Sequence, residues 1–322
     1  MRSKRMATIT ETLENTPAET IRGIVIMASG AAFIPLLDAF GKILVTTYEV
    51  PPGEVSLIRL ILQAVMILPL LLLRHGIKGL ATRHPRTNFL RGALLGIGGI
   101  AFFGALKFMP LADAVAVFLV EPMIVTLLSA LLLKESVGWR RILAVLAGFV
   151  GALIIIRPSY AVFGLASLLP LAAAIAVGLY LILSRRVSRG TTPMGMLFYA
   201  GLGGAAVVAL LIAVGEALAI PDLSFRWPRE AAVWGIFLVM GAVGTAGHLC
   251  FIEAYRLAPA SLLAPFGYIE IVSAIILGYL FFSELPDAPK FLGIAIIVGS
   301  GLFIYLRERR LAVGVERVPA EH

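Results

Sequence analysis

Asp38 and Lys42 stand four residues apart in the apolar run IPLLDAFGKILV, and Arg59 follows in a second apolar run, EVSLIRLILQAVMI. Acid before base at i and i+4 is the favourable order for a helical ion pair, so the first two could neutralise each other as a clamp. In that reading Lys42 snorkels outward and Arg59 ties the second segment to the first. The same residues could instead face a cavity, with Lys42 and Arg59 holding an anionic or carbonyl-bearing part of a ligand. Asp38 would then serve as counter-ion or proton carrier. Either account leaves one cation over, which favours a polar ligand.

Three more ionisable groups fall inside apolar runs. Glu121 is followed at once by Pro122, and Pro265 precedes Glu270 by five residues. Proline removes a backbone donor and kinks a helix, so carbonyls beside both acids are expected to be freed, an arrangement suited to binding or coupling. Glu121 could equally pair with a hydroxyl in a structural role. His248 is alone in its segment, with Glu253 five residues on, which is too little for a metal site; a hydrogen-bonded structural histidine competes with a proton relay. Asp113 and Glu284 lie at segment ends and read as caps or turn residues. No HExxH, no GxSxG and no paired histidines occur, which argues against an enzyme. No cofactor and no metal are expected, and the single Cys250 excludes a disulfide framework.

The elements that must position these groups are membrane helices. Sixty per cent of the 322 residues are hydrophobic and 14% are charged, and the mean hydropathy of +0.97 lies outside the range of soluble domains. At 1.5 Å per residue a span takes roughly 17 to 25 apolar residues. That length divides the chain into ten helices, at 22–47, 54–74, 89–108, 111–133, 139–156, 163–184, 193–218, 230–256, 259–283 and 287–306. The breakers EVPPGE, KESVGWRR, IRPSY, RLAPAS and SELPDAPK separate them, with no room for a soluble domain. The first apolar run is too long for a cleaved leader and should stay as a span.

The net charge of +8 is a topology signal, and a nucleic-acid partner is not expected. With the N-terminus inside, cytoplasmic segments hold RSKR, Arg74 to Arg91, Lys134 to Arg141, Arg185 to Arg189, Arg256 and the C-terminal arginines. Outside segments hold Lys107, Arg157, Arg226, Arg229 and Lys290. A bias of roughly four to one places both termini in the cytoplasm of an inner-membrane, multi-pass protein.

The chain also resembles itself. MPLADAVAVFLVEPMIVTLLSALLLKESVGWRR lies over RLAPASLLAPFGYIEIVSAIILGYLFFSELPDAPK at an offset of roughly 146 to 149 residues, so two halves of five helices follow. Five is odd, so the halves must insert in opposite senses, a geometry that supports alternating access around a midplane site. Tyr180 and Tyr199 fall near the repeat equivalents of Asp38 and Arg59, so the charged cluster has no second copy. Runs such as GALLGIGGIAFFG, GFVG and GLGG have no preceding strand, and read as surfaces of close helix approach.

On DAFGK, EVSLIR, MPLADAVAVF with Pro122, LKESVGWRR, and APASLLAPFGY with SEL, the chain resembles the EamA (RhaT-like) family of the drug/metabolite transporter superfamily, from about Arg22 to Tyr305. The resemblance implies an all-α integral membrane protein with ten transmembrane helices as two inverted five-helix repeats. Its expected parts are a cytoplasmic tail over 1–21, repeats over 22–158 and 159–306, and a cytoplasmic tail over 307–322. It implies a secondary transporter of a small amphipathic metabolite, riboflavin uptake first and amino-acid or other metabolite export second. The candidate binding or coupling residues are Asp38, Lys42, Arg59, Glu121, Glu270, Tyr180, Tyr199 and His248. Expected partners are the substrate, a proton, the lipid bilayer and a second copy in a homodimer. A channel is the other class, but no filter-like segment or ring of charges stands out.

Overall fold

Ten helices long and apolar enough to cross a membrane run through the computed structural model, which describes residues 16–132, 138–187, 190–258 and 260–315. The tails before Thr16 and after Val315 and the LKESV part of the acidic turn lie outside the described residues. The first half contains α1 (Pro17–Thr46), α2 (Pro52–His75), α3 (Pro85–Leu106), α4 (Leu111–Phe118), α5 (Glu121–Leu132) and α6 (Trp139–Phe163). The second half contains α7 (Leu169–Val187), α8 (Pro193–Ala217), α9 (Ala231–Leu257), α10 (Ala260–Gly267), α11 (Ile269–Phe282) and α12 (Ala288–Val315).

Local chemistry sets the ends. Thr16 and Glu19 form a reciprocal capping box, so α1 starts five residues earlier than hydropathy suggests. Pro52, Pro85 and Pro193 each sit in the first helical turn, where a missing N–H costs nothing. The expected stop at IRPSY does not end α6, which continues to Phe163 and stops where Gly164 takes a positive φ of 57°.

The fourth and ninth spans are each broken in two. The first break falls at Leu119 and Val120 and the second at Tyr268, which puts Glu121 at the first residue of α5 and Glu270 at the second of α11. The prolines expected to disturb these spans therefore flank real interruptions. The breaks stand at equivalent places in the two halves.

Packing follows the repeat. α1 lies along α9 as α7 lies along α3, while α2 meets α8 and α6 meets α12 across the axis relating the halves. Glycines permit the closest of these approaches: a Cβ on Gly92 would lie 2.6 Å from the Gly204 amide nitrogen, and one on Gly151 would lie 2.8 Å from the Gly293 carbonyl. Symmetry fails at one seam. α4 packs on α11, whereas the equivalent pair, α10 and α5, forms no matching seam among the described residues; α5 leans on α7 and α10 on α1. The bundle is therefore sealed at the end far from the chain termini and parted at the end that carries them.

Arg91 departs from its expected role as a solvent-facing topology charge. It is 1% exposed, donates 2.7 Å to the Ser184 hydroxyl and 2.8 Å to Asn88 Oδ1, and stacks on the Tyr180 ring. It is a strut joining α3 to α7.

Candidate functional site

The structure separates the opening pair. Among the described residues no salt bridge joins Lys42 to Asp38. Lys42 is 5% exposed, and its ammonium forms an ion pair with Glu284 and donates 3.0 Å to the Met109 carbonyl. Its Nζ also sits 4.8 Å from the centroid of the Phe282 ring. Of the two readings of the pair, the helical clamp gives way to a link across the two halves. The physical reason is strength: a desolvated, hydrogen-bonded pair at the sealed end outweighs an i,i+4 pair worth about 0.2 to 0.5 kcal/mol.

Glu284 is correspondingly more than a turn residue. One of its oxygens takes Lys42 and the other accepts 3.0 Å from the Leu111 amide, at the start of α4. Asp113, fully buried in that first turn, forms a 2.7 Å ion pair with Lys290 of α12. Lys107 pairs with Asp222 at 2.5 Å, and Glu54 accepts 2.8 Å from the Arg226 amide. These ties crowd the far end of the bundle.

Midway along the spans lies a second polar group. Asp38 of α1 and Arg59 of α2 stand within electrostatic reach of each other, and Arg59 also reaches the fields of Tyr180 on α7 and His248 on α9. Glu270 of α11 lies within reach of both Asp38 and Glu121 of α5. Tyr255 and Tyr268 line the same acidic side, and the Tyr268 hydroxyl abuts Gly301 of α12. Asp38, Arg59, Glu121, Tyr180, His248, Tyr268 and Glu270 are each only half-buried although they sit within their spans, and Tyr255 is exposed. Groups on different helices that reach one another in this way converge on one polar space inside the bundle.

That space has two chemical sides. Arg59 supplies the cation; its buried Nε has no hydrogen-bond partner among the described residues, and its guanidinium fits beside Gly99, where a Cβ would lie 3.9 Å away. His248 places Nδ1 2.7 Å from the Gly244 carbonyl, which can only accept, so Nδ1 carries a proton. Beyond Asp38 stand Glu270 and its neighbour Glu121, each in the first turn of a half-helix, where aligned backbone amides favour a carboxylate by about 0.3 to 2 kcal/mol. One side can bind carbonyl or anionic groups and the other can bind donors or carry a proton.

Tyr199 takes no part in this set. Its hydroxyl donates 2.6 Å to the Leu80 carbonyl and its ring packs on Phe198, fastening the α2–α3 loop to α8. Sequence reasoning took Tyr255 and Tyr268 only as two of many aromatics that could wall a cavity, and it passed over the Lys42–Glu284 link, because nothing in the chain's local pattern pairs residues 242 apart.

Two like halves with broken spans around a polar interior are the architecture of a membrane transporter. The chain belongs to the EamA-like transporter family, whose model matches it twice, over residues 21–157 and 164–306. It is a small-metabolite transporter of the membrane, multi-pass type. It is 30% identical over 279 residues to the riboflavin transporter of Vibrio cholerae, covering 86% of this chain and 90% of the relative. The S-adenosylmethionine uptake transporter of Rickettsia felis is 27% identical over 258 residues, 80% of this chain and 84% of the relative. The pseudopaline exporter of Pseudomonas aeruginosa is 30% identical over 77% of this chain and 84% of its own. A solved crystal structure superposes with a TM-score of 0.61 over 90% of this chain and 99% of its own; at 21% identity it supports the fold alone.

Proposed function

We propose that the chain carries riboflavin or a similarly flat, polar metabolite into the cell by alternating access. The observation that supports this reading most is the two-part polar interior: Arg59, with an unused buried donor, stands by Asp38, Tyr180 and His248, and Asp38 in turn lies within reach of Glu270, which neighbours Glu121 and Tyr255. A flavin ring offers carbonyl acceptors, an imide donor and a planar apolar body, so it matches both sides. The names of the Vibrio cholerae and Brucella anthropi relatives, both riboflavin transporters, support the same choice.

Orientation follows from charge. The arginine and lysine excess lies at the end carrying both termini, so we place that end in the cytoplasm of an inner membrane. The sealed far end then faces outside, and the conformation described is inward-open. The two family matches support inverted repeats over 22–158 and 159–306, with cytoplasmic tails on either side. Asp38 and Arg59 would hold the polar head of the substrate, with Tyr180 and His248 beside them. Glu121 and Glu270 would carry the coupling proton. A homodimer is compatible with this arrangement, since every site residue comes from one chain.

Riboflavin uptake into cells deficient in its synthesis, with and without the protein, tests the assignment. Saturable, competable uptake is expected. Uptake of an amino acid or another metabolite in place of riboflavin would keep the transporter and replace the substrate; an ohmic current would favour a channel.

A further inference from the structure

Resting on the transport reading above, we infer that Glu284 is a positioning residue: by holding or releasing Lys42 it decides which cation Asp38 serves. Lys42 lies within electrostatic range of Glu284 and of Asp113, which is itself held by Lys290, and one more carboxylate, Asp38, shares its helix. Glu284 belongs to the α11–α12 turn of the other half, and Asp38 lies one helical turn back on α1 itself. In the sealed state Glu284, the Met109 carbonyl and the Phe282 ring together hold the ammonium, which leaves Asp38 facing Arg59.

Opening the far end requires α4 to part from α11, because these helices form the seam there. Glu284 bonds the Leu111 amide of α4 as well as Lys42, and the Met109 carbonyl on Lys42 lies just before α4, so that movement draws Leu111 from Glu284 and Met109 from Lys42 together. Lys42, a cation with almost no access to water, thereby loses the Met109 carbonyl just as Glu284 loses its anchor on α4. A buried charge without a partner is costly, and the carboxylate at i−4 on the same rigid helix, in the favourable acid-first order, is the one that travels with it. Asp38 thereby passes from Arg59 to Lys42. Arg59, already carrying an unpaired Nε, is left as a free cation in the state open to the far side and is compensated again in the state sealed there.

The consequence is an affinity difference built into one helix. A carbonyl-bearing or anionic substrate binds Arg59 more tightly when the far end is open. When that end closes, Glu284 recovers Lys42, Asp38 returns to Arg59 and competes with the substrate for it, which favours release on the other side. No proton needs to move for this exchange.

Two ligand-free measurements test the inference, so its failure is separable from failure of the transport reading, which shows only in flux. The first uses a protein with Cys250→Ala and a reporter Ala112→Cys, a site 1% exposed in the first turn of α4. An impermeant maleimide is expected to label the reporter about tenfold faster once Glu284→Gln is added, the shift produced by removing one charged partner. An unchanged rate overturns the hold of Glu284 on the far end.

The second measurement is a double-mutant cycle of thermal unfolding in detergent. Asp38→Asn with Glu284→Gln is expected to lower Tm by clearly more than the two single changes add up to, because Lys42 then has no carboxylate in either place. Additive effects overturn the exchange, since a far-end tie that never passes to Asp38 predicts additivity. If the double variant yields no folded protein, adding Lys42→Met should restore it by removing the stranded cation. Failure of that rescue also overturns the inference.

Discussion

Arg59 buries its Nε without a hydrogen-bond partner among the described residues, and that fact argues for a ligand more directly than its charge does. Arg59→Lys keeps the charge and loses the planar fork, so KM for the transported metabolite should rise about tenfold with protein level near wild type. Arg59→Gln should abolish transport at the same protein level; flux assays paired with immunoblots check both. Exchanging the opening pair, Asp38→Lys with Lys42→Asp, should not restore activity. The exchange sets a carboxylate at position 42 against Glu284 and an ammonium at position 38 against Arg59, two like-charge contacts. Full activity of the swapped protein, measured as uptake, would return the pair to a purely structural role. At this scale the sequence located the ionisable groups by type and depth but mispaired Lys42. Local spacing offered Asp38, whereas the true partner stands in the other half, where only the fold could bring it.

At the scale of elements, the broken spans were legible because proline leaves a local mark. Pro122 and Pro265 flank the two interruptions, and the acids beside them fall in half-helix first turns. Glu121→Gln and Glu270→Gln are each expected to lose accumulation driven by a proton gradient while keeping substrate exchange without a gradient. Parallel assays in vesicles with and without an imposed pH difference distinguish the two. Close helix approach was also legible, from glycine spacing. Gly92→Ala drives a methyl into the backbone of α8 and should destabilise the protein by about 1 to 3 kcal/mol. Gly235→Ala, with nothing within 4 Å, should be neutral in the same thermal assay. The extension of α6 through IRPSY was not legible, because a breaker motif states a local preference that packing against α12 overrides.

For the whole molecule, the repeat predicts symmetry and the structure breaks it at one seam. Sequence similarity between the halves carries no record of which end is shut, since both states use the same residues. The seam itself can be fixed. A Cβ on Gly278 would lie 3.9 Å from that of Leu111, within disulfide range, so Leu111→Cys with Gly278→Cys in a Cys250→Ala protein should form a bond under oxidation. That bond should arrest transport, and reductant should release it. Binding and movement of a flavin-like metabolite through Arg59 is the central role proposed for this interior. Counterflow of labelled riboflavin into proteoliposomes preloaded with unlabelled riboflavin tests it most directly. The account predicts a saturable overshoot with the wild-type protein and none with Arg59→Gln; an overshoot that survives Arg59→Gln, or a wild-type signal equal to empty liposomes, would contradict it.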